Sequence, residues 1–256
     1  MKYSFSILFA IPLFITSCTV QKKNTKSYDY EVKVVTLTFL DQSRNRKVPV
    51  AFYYPETDKK ILNPQVIIFN HGYGLNKGGD YLVYSYLTEK LASKGYFTVS
   101  IQHELATDSL LPTEGNLQMV RRPFWQNGSD NILFVLNELK KTKPELDYKH
   151  LTLIGHSNGG DMAALFGNQH PNLVYKLITM DNRRMFLPRT SVPKIYSLRS
   201  NDYPADEGVL PNETEQKKYS ITIQPTLINH GHMDNKGSDE EKKILNDFVL
   251  KYLSEQ

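Results

Sequence analysis

The sequence predicts an α/β domain: a mostly parallel central sheet of about eight strands with helices on both faces. Three observations predict it. Two stretches near the start alternate and are rich in β-branched residues, as an antiparallel strand pair requires. Further on, the strand-like runs become short and continuously apolar, the pattern of strands buried on both faces. These runs then alternate with amphipathic helical segments, which implies crossover connections in a parallel sheet.

Each element follows in order. Residues 32–39 (VKVVTLTF) and 47–54 (KVPVAFYY) form the antiparallel pair, with Pro55 expected to end the second strand. Residues 66–69 (VIIF) are a buried strand. A helix spans about 80–94 and stops at Gly95. Residues 97–101 (FTVSI) are the next strand. A helix near 128–141 buries Ile132, Leu133, Val135, Leu136 and Leu139 on one face. Residues 151–154 (LTLI) are a strand, with a helix from about Asn158. Strands follow at 174–180, 194–200 and 221–228. Ser238 and Glu241 form a capping-box pattern that opens the final helix, whose apolar residues are Ile244, Leu245, Phe248, Val249 and Tyr252. No linker interrupts residues 30–256, which read as one domain.

The chain has 256 residues, 40% of them hydrophobic and 23% charged, an ordinary globular composition. Lys plus Arg is 31 against 27 for Asp plus Glu, a net charge of +4. So small a surplus, without a basic–aromatic cluster, does not point to nucleic acid. The single cysteine excludes an intramolecular disulfide framework and a multi-cysteine zinc site.

That cysteine sits in an N-terminal leader. Lys2 precedes an apolar run from about Phe5 to Ile15, too short for a confident membrane span, and the run ends in Ile15-Thr16-Ser17-Cys18. Small residues before a cysteine resemble the bacterial lipobox, in which the cysteine is acylated and becomes the new N-terminus. The expectation is a signal peptide at 1–17, a lipidated Cys18, and a polar basic tether to residue 29. The location implied is the cell envelope, lipid-anchored to a bacterial membrane on its periplasmic or outer-membrane face.

The chemistry is expected beyond the C-terminal ends of the parallel strands. After the strand at 151–154 stands Gly155-His156-Ser157-Asn158-Gly159-Gly160, a G-x-S-x-G motif between a strand and a helix. The chain must reverse so sharply there that the serine takes a strained backbone conformation, and Gly155 and Gly159 leave room for the turn. Ser157 then stands at a helix N-terminus, where the Asn158 amide and the helix dipole face developing negative charge.

With this motif in this context, the chain resembles the α/β-hydrolase family over nearly all of residues 30–256. The resemblance implies a second oxyanion amide just after an earlier strand. Here the strand at 66–69 leads into Asn70-His71-Gly72-Tyr73-Gly74, and the backbone N–H of Tyr73 is the expected donor beside that of Asn158. The family's chain order is Ser, then Asp or Glu, then His. The last strand leads into Asn229-His230-Gly231-His232-Met233-Asp234. Either histidine is a candidate base, and the Gly-His pairing common in the family favours His232. The acid is expected after the strand at 194–200, which favours Asp202, with Asp206 and, one strand earlier, Asp181 as alternatives. The alternation of His230, His232 and Asp234 also suggests a metal site, but it lacks an obvious fourth ligand, so no metal and no organic cofactor are expected.

The stretch between Met180 and Lys194 is too short for the large lid that many members carry. The longer insertion, 103–127, contains Trp125 and Phe124, either pocket-lining or packing residues, and it is expected to cover part of the cleft. Arg121, Arg122, Arg183 and Arg184 follow strand ends; facing the cleft they would favour an acidic substrate, and otherwise they pair with neighbouring acids. The resemblance implies a serine hydrolase of the carboxylic-ester type acting on a small-molecule ester or lipid. Lipase, phospholipid acyl hydrolase and peptidase chemistry use the same apparatus. A non-catalytic envelope binding lipoprotein is the alternative from another class.

Overall fold

The structure is a computed structural model that describes Met1, residues 29–58 and residues 61–255. The expected signal peptide, the Cys18 lipidation site and nearly all of the tether lie outside the described residues.

Eight strands form one sheet: β1 (Glu31–Asp41), β2 (Arg46–Glu56), β3 (Gln65–Asn70), β4 (Phe97–Ile101), β5 (Asp147–His156), β6 (Lys176–Met180), β7 (Lys194–Arg199) and β8 (Thr222–Pro225). Their spatial order is β1-β2-β4-β3-β5-β6-β7-β8. The β1–β2 hairpin and the β2–β4 pair are antiparallel, and every other pairing is parallel. Pro55 does not end β2; it pairs with Val32 near the strand's end. The β2–β4 ladder covers only Val50 to Tyr53, so the missing proline N–H falls where no β4 partner is waiting.

Among the described residues six α-helices accompany the sheet: α1 (Ser85–Ser93), α2 (Leu117–Val120), α3 (Arg122–Thr142), α4 (Ser157–Gln169), α5 (Glu213–Tyr219) and α6 (Asp239–Ser254). The continuous apolar runs divide by parity, because successive strand residues point to opposite faces. Val66, Ile68, Leu151, Leu153, Leu177 and Ile195 pack in one buried cluster with Ile132, Leu136 and Leu139 of α3 and Ala163 and Phe166 of α4. Ile67, Phe69, Ile154, Ile178 and Leu198 pack in a second cluster with Leu87 and Leu91 of α1 and Leu245, Val249 and Tyr252 of α6. Helices therefore cover both faces, as the sequence predicts.

The Ser238–Glu241 capping box opens α6 as expected. At its other end Lys176 Nζ, arising from β6, donates to the carbonyls of Tyr252 (2.9 Å), Leu253 (2.7 Å) and Glu255 (2.6 Å). A buried cation thus satisfies carbonyls that the helix end leaves unpaired.

The expected helix at 80–94 is split into a 3-10 turn at Asp80–Leu82 and α1. The helix expected near 128–141 begins at Arg122 instead. Pro123 reads as a breaker in the sequence but occupies the first turn, where its missing N–H costs nothing. The 103–127 insertion is therefore partly helical, and it carries Trp125 into the core. Helix α5 was not expected, although Asn212 and Glu215 make a second capping box. Residues 181–193 between β6 and β7 contain no helix and carry no large cap.

Candidate active site

Strand β5 ends at His156 and α4 begins at Ser157 with no loop between them. Ser157 has φ 52°, the left-handed conformation expected of a sharp strand-to-helix reversal. Such a conformation costs about 1–3 kcal/mol and persists only where its surroundings enforce it. Two glycines make it possible. A Cβ on Gly155 would lie 2.4 Å from the Gly159 carbonyl oxygen, and one on Gly159 would lie 2.3 Å from that of Asn70.

The imidazole that meets Ser157 is that of His230. Its Nε2 lies 3.0 Å from Ser157 Oγ, and its Nδ1 lies 2.5 Å from Asp181 Oδ2. The Asp181 carboxylate accepts only, so Nδ1 carries the proton and Nε2 is left to accept the serine hydroxyl. His232, the favoured base, is corrected by this geometry. It sits two residues on along the same 3-10 turn, points outward, and bonds Glu241 Oε1 at 3.0 Å, next to the cap of α6. Asp202, the favoured acid, is corrected too. Its carboxylate accepts the backbone N–H of His230 at 2.7 Å and so holds the loop rather than the ring. Asp206 lies near Arg184, at 3.9 Å. The acid facing the imidazole is Asp181, the more distant alternative.

Asp181 is fully buried. Burial pushes its carboxyl up, but the His230 hydrogen bond, the Arg199 guanidinium and Ser200 more than offset this and hold it below the ordinary value. Ser200 donates through its N–H (3.0 Å) and its hydroxyl (2.8 Å), and Arg199 Nη2 lies 2.8 Å away as an ion pair without an aligned hydrogen bond. His156 packs against His230, ring centroids 4.7 Å apart. Burial, with His230 beside it, lowers its pKa to about 3, so it is neutral. The Tyr84 hydroxyl accepts from the Gly72 N–H (3.0 Å) and is hydrogen-bonded to His156 Nδ1 at 2.8 Å.

The two expected oxyanion donors flank the serine. Asn158 is the second residue of α4, where helical amides have no intrahelical partner. Gly72 lies against the nucleophile, since a Cβ there would sit 3.4 Å from that of Ser157, and Tyr73 follows it. The Tyr73 N–H makes no hydrogen bond among the described residues, and its hydroxyl accepts from Leu111 N–H at 3.0 Å. These groups open on a cleft of about 360 Å³, lined among others by Tyr73, Tyr84, Ser157 and His230.

Beneath it lies a buried network with no counterpart in the sequence expectations. Asn158 Nδ2 donates to Glu104 Oε1 (2.7 Å) and its Oδ1 accepts from Trp125 Nε1 (2.9 Å). Glu104 Oε2 lies 3.7 Å from His71 Nε2, which accepts the His103 N–H (3.0 Å), while His71 Nδ1 lies 2.7 Å from the Gly72 carbonyl. Burial raises the Glu104 carboxyl, partly offset by His71. Trp125 therefore braces the elbow from below. Asp161, also buried, accepts the N–H groups of Arg183, Arg184 and Met185 and so fixes the loop after β6; burial raises its pKa to about 6 against those bonds. His230, His232 and Asp234 diverge to separate partners, Asp234 to Lys236. No group of three or more potential ligands among the described residues is placed to hold a metal ion.

Comparisons with known proteins agree with this architecture. Brefeldin A esterase, described as a bacterial homologue of human hormone sensitive lipase, superposes with a TM-score of 0.61 at 11% identity, covering 96% of this chain and 80% of that one. Esterase Est22 superposes with a TM-score of 0.63 at 9% identity, covering 88% and 81%. A Mus musculus "serine hydrolase-like protein" is 28% identical over 100 residues, 39% of this chain; the chain spans only 31% of that relative's length. The model of the family described as BD-FAE matches residues 50–187, a span that holds Ser157 and Asp181 and stops short of His230. Since that match takes in more than half of the chain, and the sheet order and superpositions give it the α/β-hydrolase fold, the chain belongs to the BD-FAE family.

Proposed function

We propose that the protein is a serine hydrolase that cleaves a carboxylic ester through a Ser157–His230–Asp181 triad and an acyl-enzyme. The observation that carries this reading is the unbroken contact from Ser157 Oγ to His230 Nε2 and from His230 Nδ1 to Asp181. The esterase-like fold supports it. In the first step Ser157 Oγ attacks the acyl carbon while its proton passes to His230 Nε2. Asp181 stabilises the imidazolium and holds the ring in the tautomer that can accept. The Tyr73 and Asn158 amides receive the oxyanion, which two fixed donors stabilise by several kcal/mol. His230 returns the proton to the departing alcohol oxygen. Water, deprotonated by the same nitrogen, then releases the acid and restores the serine.

The substrate is a small-molecule ester, and these steps draw on no metal and no organic cofactor. With acylation of Cys18 the domain would be tethered to a bacterial envelope membrane; incorporation of labelled palmitate that vanishes in Cys18→Ala tests this part. The enzymatic part is tested by a fluorophosphonate probe on wild type and Ser157→Ala, with peptide mass mapping. An adduct on Ser157, absent from the variant, is expected. A folded wild-type protein that takes no adduct and hydrolyses no 4-nitrophenyl ester would sink the reading in favour of a binding module.

A further inference from the structure

Arg121, Arg183 and Arg184 lie near one another and near Asp161, Asp181 and Asp206, but none of these acids makes a close ion pair with Arg121 or Arg183. Among the described residues Arg121, Arg122 and Arg183 make no ion pair, and Arg184 reaches only Asp206, at 3.9 Å. The backbones of Arg183 and Arg184 are fixed over the first turns of α4 by Asp161, at 3.1 and 2.9 Å. The Nε atoms of both are buried without a hydrogen-bond partner. The Arg183 guanidinium lies 4.2 Å over the Tyr203 ring, and that ring packs 5.0 Å from the His230 ring. Arg183 is thus one ring away from the imidazole. Arg121, its Nε held by the Pro112 carbonyl at 2.7 Å, is close enough to Arg183 and Arg184 to feel their charge. Burial, and then the neighbouring Arg184, push the pKa values of Arg121 and Arg183 below the ordinary one. Asp161, Asp181 and Asp206 offset part of the repulsion between these like charges, and a bound anion would relieve more of it.

His230 delivers the proton to the leaving oxygen, so the leaving group lies near that ring, on which Tyr203 packs with Arg183 beyond it. We propose that Arg121, Arg183 and Arg184 form a carboxylate-binding subsite for the leaving group, so that the preferred substrates are esters whose alcohol or phenol part bears a carboxylate. The inference rests on the serine-hydrolase reading above and names its substrate class. Guanidinium groups suit this task because they present fixed forks of donors to planar carboxylates.

A matched pair tests it: 4-acetoxybenzoate and 4-acetoxybenzamide differ in charge but share the scissile bond. Wild type is expected to favour the carboxylate by about tenfold or more in kcat/KM, the scale of one charge-assisted hydrogen bond. The preference should shrink with added salt, and toward unity in Arg183→Gln and Arg184→Gln, while Lys243→Gln, a distant charge removal, leaves the ratio as it was. Calorimetric binding of 4-hydroxybenzoate to Ser157→Ala supplies a readout independent of turnover. A wild-type ratio near one with no binding of 4-hydroxybenzoate overturns the subsite and leaves the esterase reading standing. Arginine-dependent binding without hydrolysis of either ester supports the subsite and overturns the esterase reading. Neither hydrolysis nor binding overturns both.

Discussion

Ser157 and Asp181 occupy equivalent positions just past the ends of neighbouring strands. His156 of β5 and Met180 of β6 are register partners, and each candidate catalytic residue is the next one in the chain. Both have positive φ, 52° for Ser157 and 58° for Asp181. The two side chains are therefore presented from one edge of the sheet, side by side, by two turns of the same hand. His230 needs only to lie across them, and the Asp202 carboxylate on its backbone N–H keeps its loop in place.

This register favours Asp181 as the acid of the proposed triad. Asp181→Asn is expected to lower kcat for 4-nitrophenyl acetate by about three to four orders of magnitude, because the amide can hold the wrong tautomer of His230. Asp202→Asn keeps a backbone acceptor and should lose less than about tenfold. Steady-state kinetics on both variants decide it, and the reverse ranking would restore Asp202 as the acid.

The two histidines separate in the same way. His230→Ala should abolish fluorophosphonate labelling of Ser157 on the minutes timescale. His232→Ala should label normally and lose at most about 1 kcal/mol of stability, the scale of an exposed ion pair. Labelling time courses with a thermal melt read both effects, and loss of labelling in His232→Ala would contradict the assignment.

The elbow should not tolerate a methyl group. At Gly159 a Cβ would lie 2.3 Å from the Asn70 carbonyl oxygen, which is backbone and cannot swing aside. Gly159→Ala is expected to cost about 3 kcal/mol or more in a denaturant titration, at the upper end of overpacking effects. Wild-type stability in the folded variant would show that the turn is looser than its contacts imply.

His156 should contribute stability that rises with pH between 5 and 7. His156 titrates near 3 in the folded protein and near 6.5 when unfolded, so over this interval the unfolded chain binds the extra proton. This contribution is complete above about pH 6.5 and is lost as pH drops toward 3, by about 2 kcal/mol at pH 5. His103, buried and shifted well below its ordinary value, acts in the same direction. Asp161, raised to about 6, and Glu104, raised by burial, act the other way. Urea titrations at pH 5 and 7 are therefore compared for wild type and His156→Gln, and a pH dependence that is the same in both would mean that His156 is charged or solvated.

The α/β class, the succession of strands along the chain and the elbow that presents Ser157, the candidate nucleophile, are legible in the residues, because each is written locally. Continuous apolar runs mark doubly buried strands, and Gly155 and Gly159 around Ser157 mark a turn that few other residues permit. Punctuation was read less well. Pro123 looks like a stop and is a start, and the Asn212–Glu215 box that opens α5 has no long apolar stripe to draw attention to it.

The partners of Ser157 belong to the other kind of information. His230 and His232 stand two residues apart in one short segment, and Asp181, Asp202 and Asp206 all follow strand ends. Nothing local to these residues separates them. The choice came from contacts between distant parts of the chain: the His156–Met180 register that sets Asp181 beside Ser157, the Asp202 clamp on His230, and Glu241 on α6, which takes His232 outward. A nucleophile elbow is a strained turn that only certain residues can make, so the sequence by itself determines it. A triad is three side chains meeting across a sheet, and only tertiary packing decides which of several chemically equal candidates arrive.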